Sequence, residues 1–207
     1  MKDSHFFAML SRMKYINRWG LMINSREQND CEHSLEVAYI AHALGIINNT
    51  IYEGHLNAER MAVLGMYHDV TEIITGDMPT PVKYYSTEIR NAYKELENVA
   101  KNQLLTGLPE VMRDSYEPLF LETEEEEKLW RYVKAADKIS AYIKCIEERK
   151  SGNTDFIEAE KTIEHGYHYD KTFCDGHPAP VFVPVPEEEE DEETGEIENQ
   201  AEIYAAK

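Results

Sequence analysis

Apolar residues recur every three or four positions along most of the first 165 residues, and this spacing constrains the fold more than any other feature of the chain. A repeat of this length matches the roughly 3.6-residue turn of an α-helix and places the apolar side chains on one face. No segment shows a convincing two-residue alternation of the kind that a strand requires. The pattern therefore predicts an all-α fold in which amphipathic helices bury their apolar faces against one another.

We predict seven helices, separated by segments that are polar or contain glycine and proline. The predicted helices cover about residues 6–19, 32–48, 58–75, 86–100, a short stretch from 109, 123–149 and 155–165. Asn57 is a suitable N-cap for the third helix, and Gly76 is a suitable stop at its end. Thr123 and Glu126 match a capping box at the start of the sixth helix. Residues 76–81 contain two prolines and a glycine, which predicts a loop.

Length and composition indicate one globular domain followed by a tail. With 207 residues, of which 42% are hydrophobic, the chain can close one sizeable core, and we assign this domain to residues 1–165. After Gly166, prolines interrupt the short apolar run around Phe182, and a run of acidic residues follows. Such a segment cannot bury enough apolar surface to fold, so residues 166–207 are expected to form a disordered acidic tail, with partner binding as the alternative.

The charge and the apolar runs limit the classes of partner. The formal net charge of −19 argues against a nucleic-acid polymer, because phosphate backbones are bound by lysine and arginine. The longest uncharged apolar run, residues 37–47, is much shorter than the roughly 20 residues of a membrane span, so no membrane partner is expected. The first residues lack the profile of a signal peptide, and three cysteines are scattered without metal-site spacing. These features predict a cytoplasmic protein with free thiols.

Two histidines and two aspartates on predicted helices indicate a metal site: His33, His68, Asp69 and Asp137. Alone, His33 would more often be a hydrogen-bonded core histidine, and Asp137 could be a helix-face residue with a local hydrogen bond. However, Asp137 falls in an apolar stripe, where a carboxylate is costly to bury without a cation or several donors. Together the four side chains form a donor set that suits Mn, Fe, Co, Ni or Zn better than Mg or Ca.

Three further residues near these motifs can be assigned roles, each with an ordinary alternative. Glu72 follows His68 by four residues, so on one helix it would lie beside the metal, where a carboxylate can transfer a proton; the alternative is a solvent-facing position. Arg18 has the planar donors to hold two phosphate oxygens, although a surface salt bridge is the more common role. Trp19 offers a flat apolar wall, but core packing is its usual explanation.

An ordered series of motifs resembles a known family. The motifs are Ser4-His5-Phe6-Phe7, Asn17-Arg18-Trp19, Glu32-His33-Ser34-Leu35, Tyr67-His68-Asp69 with Glu72, and Thr75-Gly76-Asp77-Met78-Pro79-Thr80-Pro81-Val82-Lys83-Tyr84. Together they are similar to the bacterial 5′-deoxynucleotidases of the YfbR type, which lie within the HD superfamily of metal-dependent phosphohydrolases. The resemblance extends over about residues 1–165, and the Pro-rich and Glu-rich segment after Gly166 departs from the family pattern.

The resemblance implies an HD-domain helical bundle that hydrolyses deoxyribonucleoside 5′-monophosphates with a divalent transition metal such as cobalt or manganese. It implies four metal ligands: His33, His68, Asp69 and Asp137. It also implies a homodimer, a catalytic role for Glu72, and orientation of the phosphate by Arg18. The residues implied to contact substrate are Arg18, Trp19, His33, Asp69, Asp77, Met78, Pro79, Thr80 and Asp137. For Asp77 the residues alone suggest only turn formation, since it follows a glycine.

Two alternatives to this function remain open in the sequence. An HD phosphohydrolase that acts on a triphosphate or a signalling nucleotide would need more basic residues than the motifs supply, chiefly Arg18 and Lys83. A non-catalytic, nucleotide-binding HD sensor would be expected to have lost a metal ligand or Glu72, and neither is lost.

Overall fold

A computed structural model of the chain describes residues 5–165, and over this range the protein is helical with no β-strand. The helices are α1 Phe6–Leu10, α2 Asp30–Ile51, α3 Ala58–Tyr67, α4 Glu72–Thr75, α5 Thr80–Lys83, α6 Thr87–Thr106, α7 Glu110–Tyr116, α8 Glu127–Lys150 and α9 Ile157–His165. The predicted all-α fold is confirmed. The predicted acidic tail, residues 166–207, lies outside the described residues. Within the described part, no helix is both long and apolar enough to cross a membrane.

Helices α2, α3 and α8 pack against one another and form the centre of the domain. The core positions that they contribute are almost fully buried: Val37, Ala41, Met61, Leu64, Val133 and Ala136. The α2 and α3 backbones approach closely at Gly65, where an added Cβ would lie only 2.9 Å from the Ala38 Cα. His33 lies on α2, Asp137 lies on α8, and His68 follows the last residue of α3, so the packing of the core fixes the relative positions of these predicted ligands.

Polar side chains cap the start of α2 and of α3, and a glycine ends α4. The Asn29 side chain accepts from the Cys31 and Glu32 backbone N–H groups at the start of α2, which places His33 within the first turn. The Asn57 side chain accepts from the Arg60 N–H at the start of α3, as predicted. Gly76 ends α4 with a φ of 73°, a conformation that glycine adopts without strain.

The first predicted helix, residues 6–19, is wrong in its second half. Helix α1 ends at Leu10, a short 3₁₀ turn follows, and Ile16 is extended. The Asp30 N–H donates to the Ile16 carbonyl, and the Arg18 N–H donates to the Gln28 carbonyl. Because residues 16–18 pair with residues 28–30, they cannot continue the helix. This pairing places Arg18 and the following Trp19 beside the start of α2.

The third predicted helix, residues 58–75, is interrupted after Tyr67. The Val70 N–H donates to the Tyr67 carbonyl and the Glu72 N–H to the Asp69 carbonyl, each across three residues, which winds the chain more tightly than an α-helix.

The predicted loop at residues 76–81 and the predicted capping box at Thr123 were also wrong. Residues 76–81 include the start of α5, because Pro81 is tolerated in a first helical turn. Thr123 makes no side-chain cap bond, and the Glu126 carboxylate accepts from Arg60.

Candidate metal centre and substrate cavity

The side chains of His33, His68 and Asp69 meet at one point. Their potential ligand atoms all lie within 4.8 Å of one another. The Asp69 Oδ2 atom is 3.0 Å from the His68 Nε2 atom and 3.5 Å from the His33 Nε2 atom. His33 reaches this point from the first turn of α2, whereas His68 and Asp69 come from the tight turn after α3. The structure thus brings together three of the predicted ligands.

Asp137, the fourth predicted ligand, borders this group from α8. Its Oδ1 atom lies 2.9 Å from the His33 Nε2 atom and 3.9 Å from the His68 Nε2 atom. Its side chain is 38% exposed, whereas that of His33 is 1% exposed. Asp137 therefore stands on the open side of the cluster, where the apolar stripe of α8 reaches the surface.

The donor chemistry of this cluster fits a divalent metal ion. The His68 Nδ1 atom lies 2.8 Å from the Gly65 carbonyl, which can only accept, so this nitrogen carries a proton and donates. In a neutral ring the lone pair is then on Nε2, the atom that faces Asp69. Among the described residues, neither His33 Nε2 nor His68 Nε2 has a partner with good hydrogen-bond geometry, although both are buried. Buried nitrogen lone pairs beside two carboxylates suit a cation such as Zn, Co or Mn.

The protonation of the cluster reflects its excess of buried negative charge. Burial lowers the pKa of His68, but Asp69 and Asp137 outweigh this effect and raise the pKa to about 10. Burial raises the pKa of Asp69, but His68 and Arg18 lower it to about 2. Both shifts reflect the same charge imbalance, which a divalent cation at this point would relieve.

Arg18 points into the cluster and does not form a surface salt bridge. Its Nη1 atom donates to the Asp69 Oδ2 atom at 2.8 Å and lies 3.6 Å from Asp30 and 4.0 Å from Glu72. The Arg18 side chain is only 15% exposed. Burial lowers the pKa of the guanidinium, but carboxylates, led by Asp69, outweigh this effect and raise it. Arg18 is therefore a fixed positive charge at the edge of the cluster.

Glu72 and Asp30 add two buried carboxyl groups beside Arg18. The Glu72 side chain is 14% exposed, so the alternative of a solvent-facing position is wrong. Burial raises the pKa of Glu72, and the charges of Asp69 and Asp30 raise it further. Sequence reasoning missed Asp30, which is fully buried and whose pKa burial raises to about 6. An acid in the first turn of a helix is ordinary, so the sequence carries no signal for its role.

A cavity of about 540 Å³ opens beside the cluster, a size typical of sites for small molecules. Seven of the predicted substrate residues line it: Arg18, Trp19, Asp77, Met78, Pro79, Thr80 and Asp137. The other two, His33 and Asp69, are not among the lining residues and lie within the cluster itself. Sequence reasoning missed the wall that α8 and α9 contribute, which comprises Lys138, Ala141, Glu158, Ala159, Thr162 and Ile163.

Trp19 and Asp77 both line this cavity and are joined by a hydrogen bond. The Trp19 backbone N–H donates to the Asp77 Oδ2 atom at 3.2 Å, so Asp77 does more than form a turn. Trp19 has a φ of 59°, an uncommon value for a residue with a side chain, and its ring centre lies 5.1 Å from that of Phe156. The indole therefore lies between Phe156, the residue that precedes α9, and the cavity.

Comparison of the sequence with known proteins identifies close relatives. The family described as 5′-deoxynucleotidase YfbR-like matches residues 5–170. The 5′-deoxynucleotidase YfbR of Salmonella paratyphi B is 51% identical over 168 residues, covering 79% of this chain and 84% of the relative. A 5′-deoxynucleotidase of Cronobacter sakazakii is 47% identical over 193 residues, covering 89% of this chain and 92% of the relative.

Comparison of the structure with solved structures gives the same fold. An HD-domain phosphohydrolase from Listeria innocua superposes with a TM-score of 0.68 at 26% identity, covering 77% of each chain. An HD phosphohydrolase from cyanophage S-2L superposes with a TM-score of 0.50 at 20% identity, covering 67% of this chain and 69% of the other. The predicted HD-domain fold is confirmed.

Proposed function

The chain belongs to the YfbR-like 5′-deoxynucleotidase family, and from this premise we propose that it hydrolyses deoxyribonucleoside 5′-monophosphates to deoxyribonucleosides and phosphate. It is a phosphomonoester hydrolase. The observation that carries the proposal is the junction between the cavity and the histidine–carboxylate cluster, where Arg18 and Asp137 belong to both. A 5′-phosphate at this junction would place its nucleoside in the cavity.

We propose that the cluster holds a divalent transition metal. The ligands would be His33, His68, Asp69 and Asp137, and the support is the convergence of their donor atoms. When bound, such an ion lowers the pKa of a water molecule and neutralises charge on a phosphate. Cobalt and manganese both suit this donor set, and cobalt is the ion that we propose to test first.

Arg18 would orient the phosphate, and Glu72 would transfer a proton. The guanidinium has five N–H donors, and its one short contact in the cluster, to Asp69, leaves donors that can hold phosphate oxygens. Glu72 lies within 4.0 Å of the same guanidinium. Because burial and neighbouring carboxylates raise the pKa of its carboxyl group, Glu72 is suited to protonate the departing 5′ oxygen.

The part of the cavity lined by Trp19 and Asp77 would select the sugar. With the Trp19 indole against the 2′ carbon, an added 2′-hydroxyl must clash or lose its hydrogen bonds, which costs about 1–3 kcal/mol. This cost predicts a roughly ten- to hundredfold preference for deoxyribonucleotides. Asp77 would accept from the 3′-hydroxyl, and Met78, Pro79 and Thr80 would contact the nucleoside, with little dependence on the base.

We also propose that the protein is a cytoplasmic homodimer. An apolar stripe on the outer face of α2 supports the dimer: Leu35, Tyr39 and Ile46 are 43%, 66% and 42% exposed. Free thiols at Cys31 and Cys145 are compatible with a reducing compartment.

The alternative function, an HD phosphohydrolase that acts on a more highly charged nucleotide, is less well supported. Such an enzyme would need further basic residues at the site, but Lys83 pairs with Glu97 at 3.0 Å and does not line the cavity.

Phosphate release from a panel of nucleotides tests this proposal. The purified protein, loaded with Co²⁺, is supplied with deoxyribonucleoside and ribonucleoside 5′-monophosphates, 3′-monophosphates and triphosphates. We expect several deoxyribonucleoside 5′-monophosphates to react at comparable rates, ribonucleotides poorly and 3′-monophosphates not at all. Faster hydrolysis of triphosphates would favour the other HD phosphohydrolase, and binding of nucleotides without any hydrolysis would favour the sensor.

A further inference from the structure

A chain of hydrogen bonds, of which Glu36 is the only partly exposed member, lies behind His33 on the side away from the other predicted ligands. The His33 Nδ1 atom is 3.1 Å from the Ser140 Oγ atom, and this hydroxyl donates to the Glu36 Oε2 atom at 3.1 Å. The Gln28 side-chain amide donates to the same Glu36 oxygen at 2.9 Å. His33, Ser140 and Gln28 are each less than a tenth exposed. The chain therefore links α2 to α8, and its bond between His33 and Ser140 is fully buried.

The direction of these hydrogen bonds fixes which His33 nitrogen carries the proton. The Glu36 Oε2 atom is an acceptor in two bonds, one from an amide and one from a hydroxyl. The Ser140 hydroxyl has a single hydrogen, and since it points to Glu36, only lone pairs remain to face His33. The His33 Nδ1 atom must then donate. In a neutral ring the lone pair is consequently on Nε2, which faces Asp137 and Asp69.

In His33 and His68, different hydrogen-bond acceptors keep the proton on Nδ1 and the lone pair on Nε2. The Nδ1 proton of His68 is directed by the Gly65 backbone carbonyl, which no substitution removes. The Nδ1 proton of His33 depends on side chains alone. If the Ser140 hydroxyl were free to turn, it could donate to Nδ1 and force the proton onto Nε2, where it would block ligation. The His33 ligand is thus the more sensitive to replacement of its neighbours.

We propose that Ser140 and Glu36 are positioning residues that keep the His33 Nε2 lone pair directed at the metal site. This inference rests on the proposed function in assuming a metal at the cluster, and it assigns neither residue a contact with substrate. Residues that orient a metal-bound histidine in this way affect metal affinity by about 10- to 100-fold when they are replaced. The effect should therefore appear in metal binding itself, before any reaction.

The test compares Ser140→Ala with Ser34→Ala, a matched control. Ser34 adjoins His33 on α2 and is 4% exposed, but its hydroxyl has no hydrogen-bond partner among the described residues. Affinity for Co²⁺ is measured by chelator competition, and the absorption spectrum of bound Co²⁺ reports its coordination. We expect Ser140→Ala and Glu36→Ala each to bind Co²⁺ about 10- to 100-fold more weakly with an altered spectrum. Ser34→Ala should match the unmodified protein, and Ser140→Thr, which keeps a hydroxyl, should recover most of the affinity.

Equal Co²⁺ affinity in Ser140→Ala and Ser34→Ala would overturn the proposal, as would loss in Ser140→Ala without loss in Glu36→Ala. Should Ser140→Ala fail to fold, the imidazole ¹⁵N shifts of the unmodified, Zn²⁺-loaded protein identify the His33 nitrogen that binds metal. We expect Nε2, and ligation through Nδ1 would overturn the proposal. Because these readouts precede hydrolysis, a protein that binds metal as expected but releases no phosphate would contradict the proposed function alone.

Discussion

The ion pair between Lys144 and Glu148 holds the segment that follows Trp19, and its removal should destabilise the protein strongly. Both side chains are buried, with 5% and 2% exposure. Glu148 accepts from the Lys144 ammonium, from the Ser25 and Arg26 backbone N–H groups and from the Asn153 amide. Residues 25 and 26 are thereby attached to α8 and to the loop before α9. Glu148→Gln keeps the shape of the side chain but leaves the buried ammonium without a counter-charge.

The magnitude follows from the burial of both partners. Breaking a buried pair by removing one charge costs about 3–5 kcal/mol. For a domain of this size, each kcal/mol lowers the melting temperature by roughly 2–4 °C, so Glu148→Gln should lower it by about 10 °C at pH 7. Glu147→Gln, an exposed change one residue away, serves as the control and should alter the melting temperature by less than about 2 °C.

The pH dependence of this effect has a definite sign. Burial raises the pKa of Glu148, but hydrogen bonds from Lys144, Asn153 and Ser25 outweigh it and lower the pKa below the ordinary value of 4.5. A lowered pKa in the folded state contributes stability above the pKa of the unfolded chain, and this contribution is lost as the pH falls below about 4.5. The melting temperatures of the unmodified protein and of Glu148→Gln, measured by calorimetry, should therefore differ fully at pH 7 and by less at pH 4. A difference below 2 °C at pH 7, or one that does not diminish in acid, would refute this reasoning.

Three further predictions concern the site. Trp19→Ala should raise hydrolysis of AMP relative to dAMP by about tenfold while metal content is unchanged, and an unaltered ratio in steady-state assays would remove the sugar wall from the account. Glu72→Gln should keep its metal by elemental analysis but lose roughly 10²- to 10⁴-fold in turnover, and a loss below tenfold would exclude a proton-transfer role. Asp137→Ala should lose metal and activity together, since it removes a carboxylate 2.9 Å from the His33 Nε2 atom.

The sequence predicted which side chains come together better than it predicted the backbone that carries them. The apolar spacing and the Asn57 cap located α2, α3 and α8, and these helices place His33, His68 and Asp137. The break after Tyr67 could not be predicted, because no proline or glycine marks it. Val70, within that break, is fully buried, so tertiary packing imposes a turn where the local sequence favours a helix.

Two parts of the site depend on contacts between distant residues and left little signal in the sequence. Helix α9 was predicted as a helix, but its place on the cavity follows from docking on α8, where the Arg149 Nε atom donates to both Glu160 oxygens at 3.1 and 2.8 Å. The approach of Arg18 to Asp30 and Asp69 follows from the pairing of residues 16–18 with residues 28–30. In the sequence, this region was predicted as a helix followed by a loop.

The most direct test of the central claim is a metal titration of activity. Protein freed of metal with a chelator is titrated with Co²⁺, and both bound metal and phosphate release from dAMP are measured at each point. We expect no detectable release without metal, and activity that rises in proportion to the metal bound at the cluster of His33, His68, Asp69 and Asp137. Full activity in demonstrably metal-free protein would contradict this expectation.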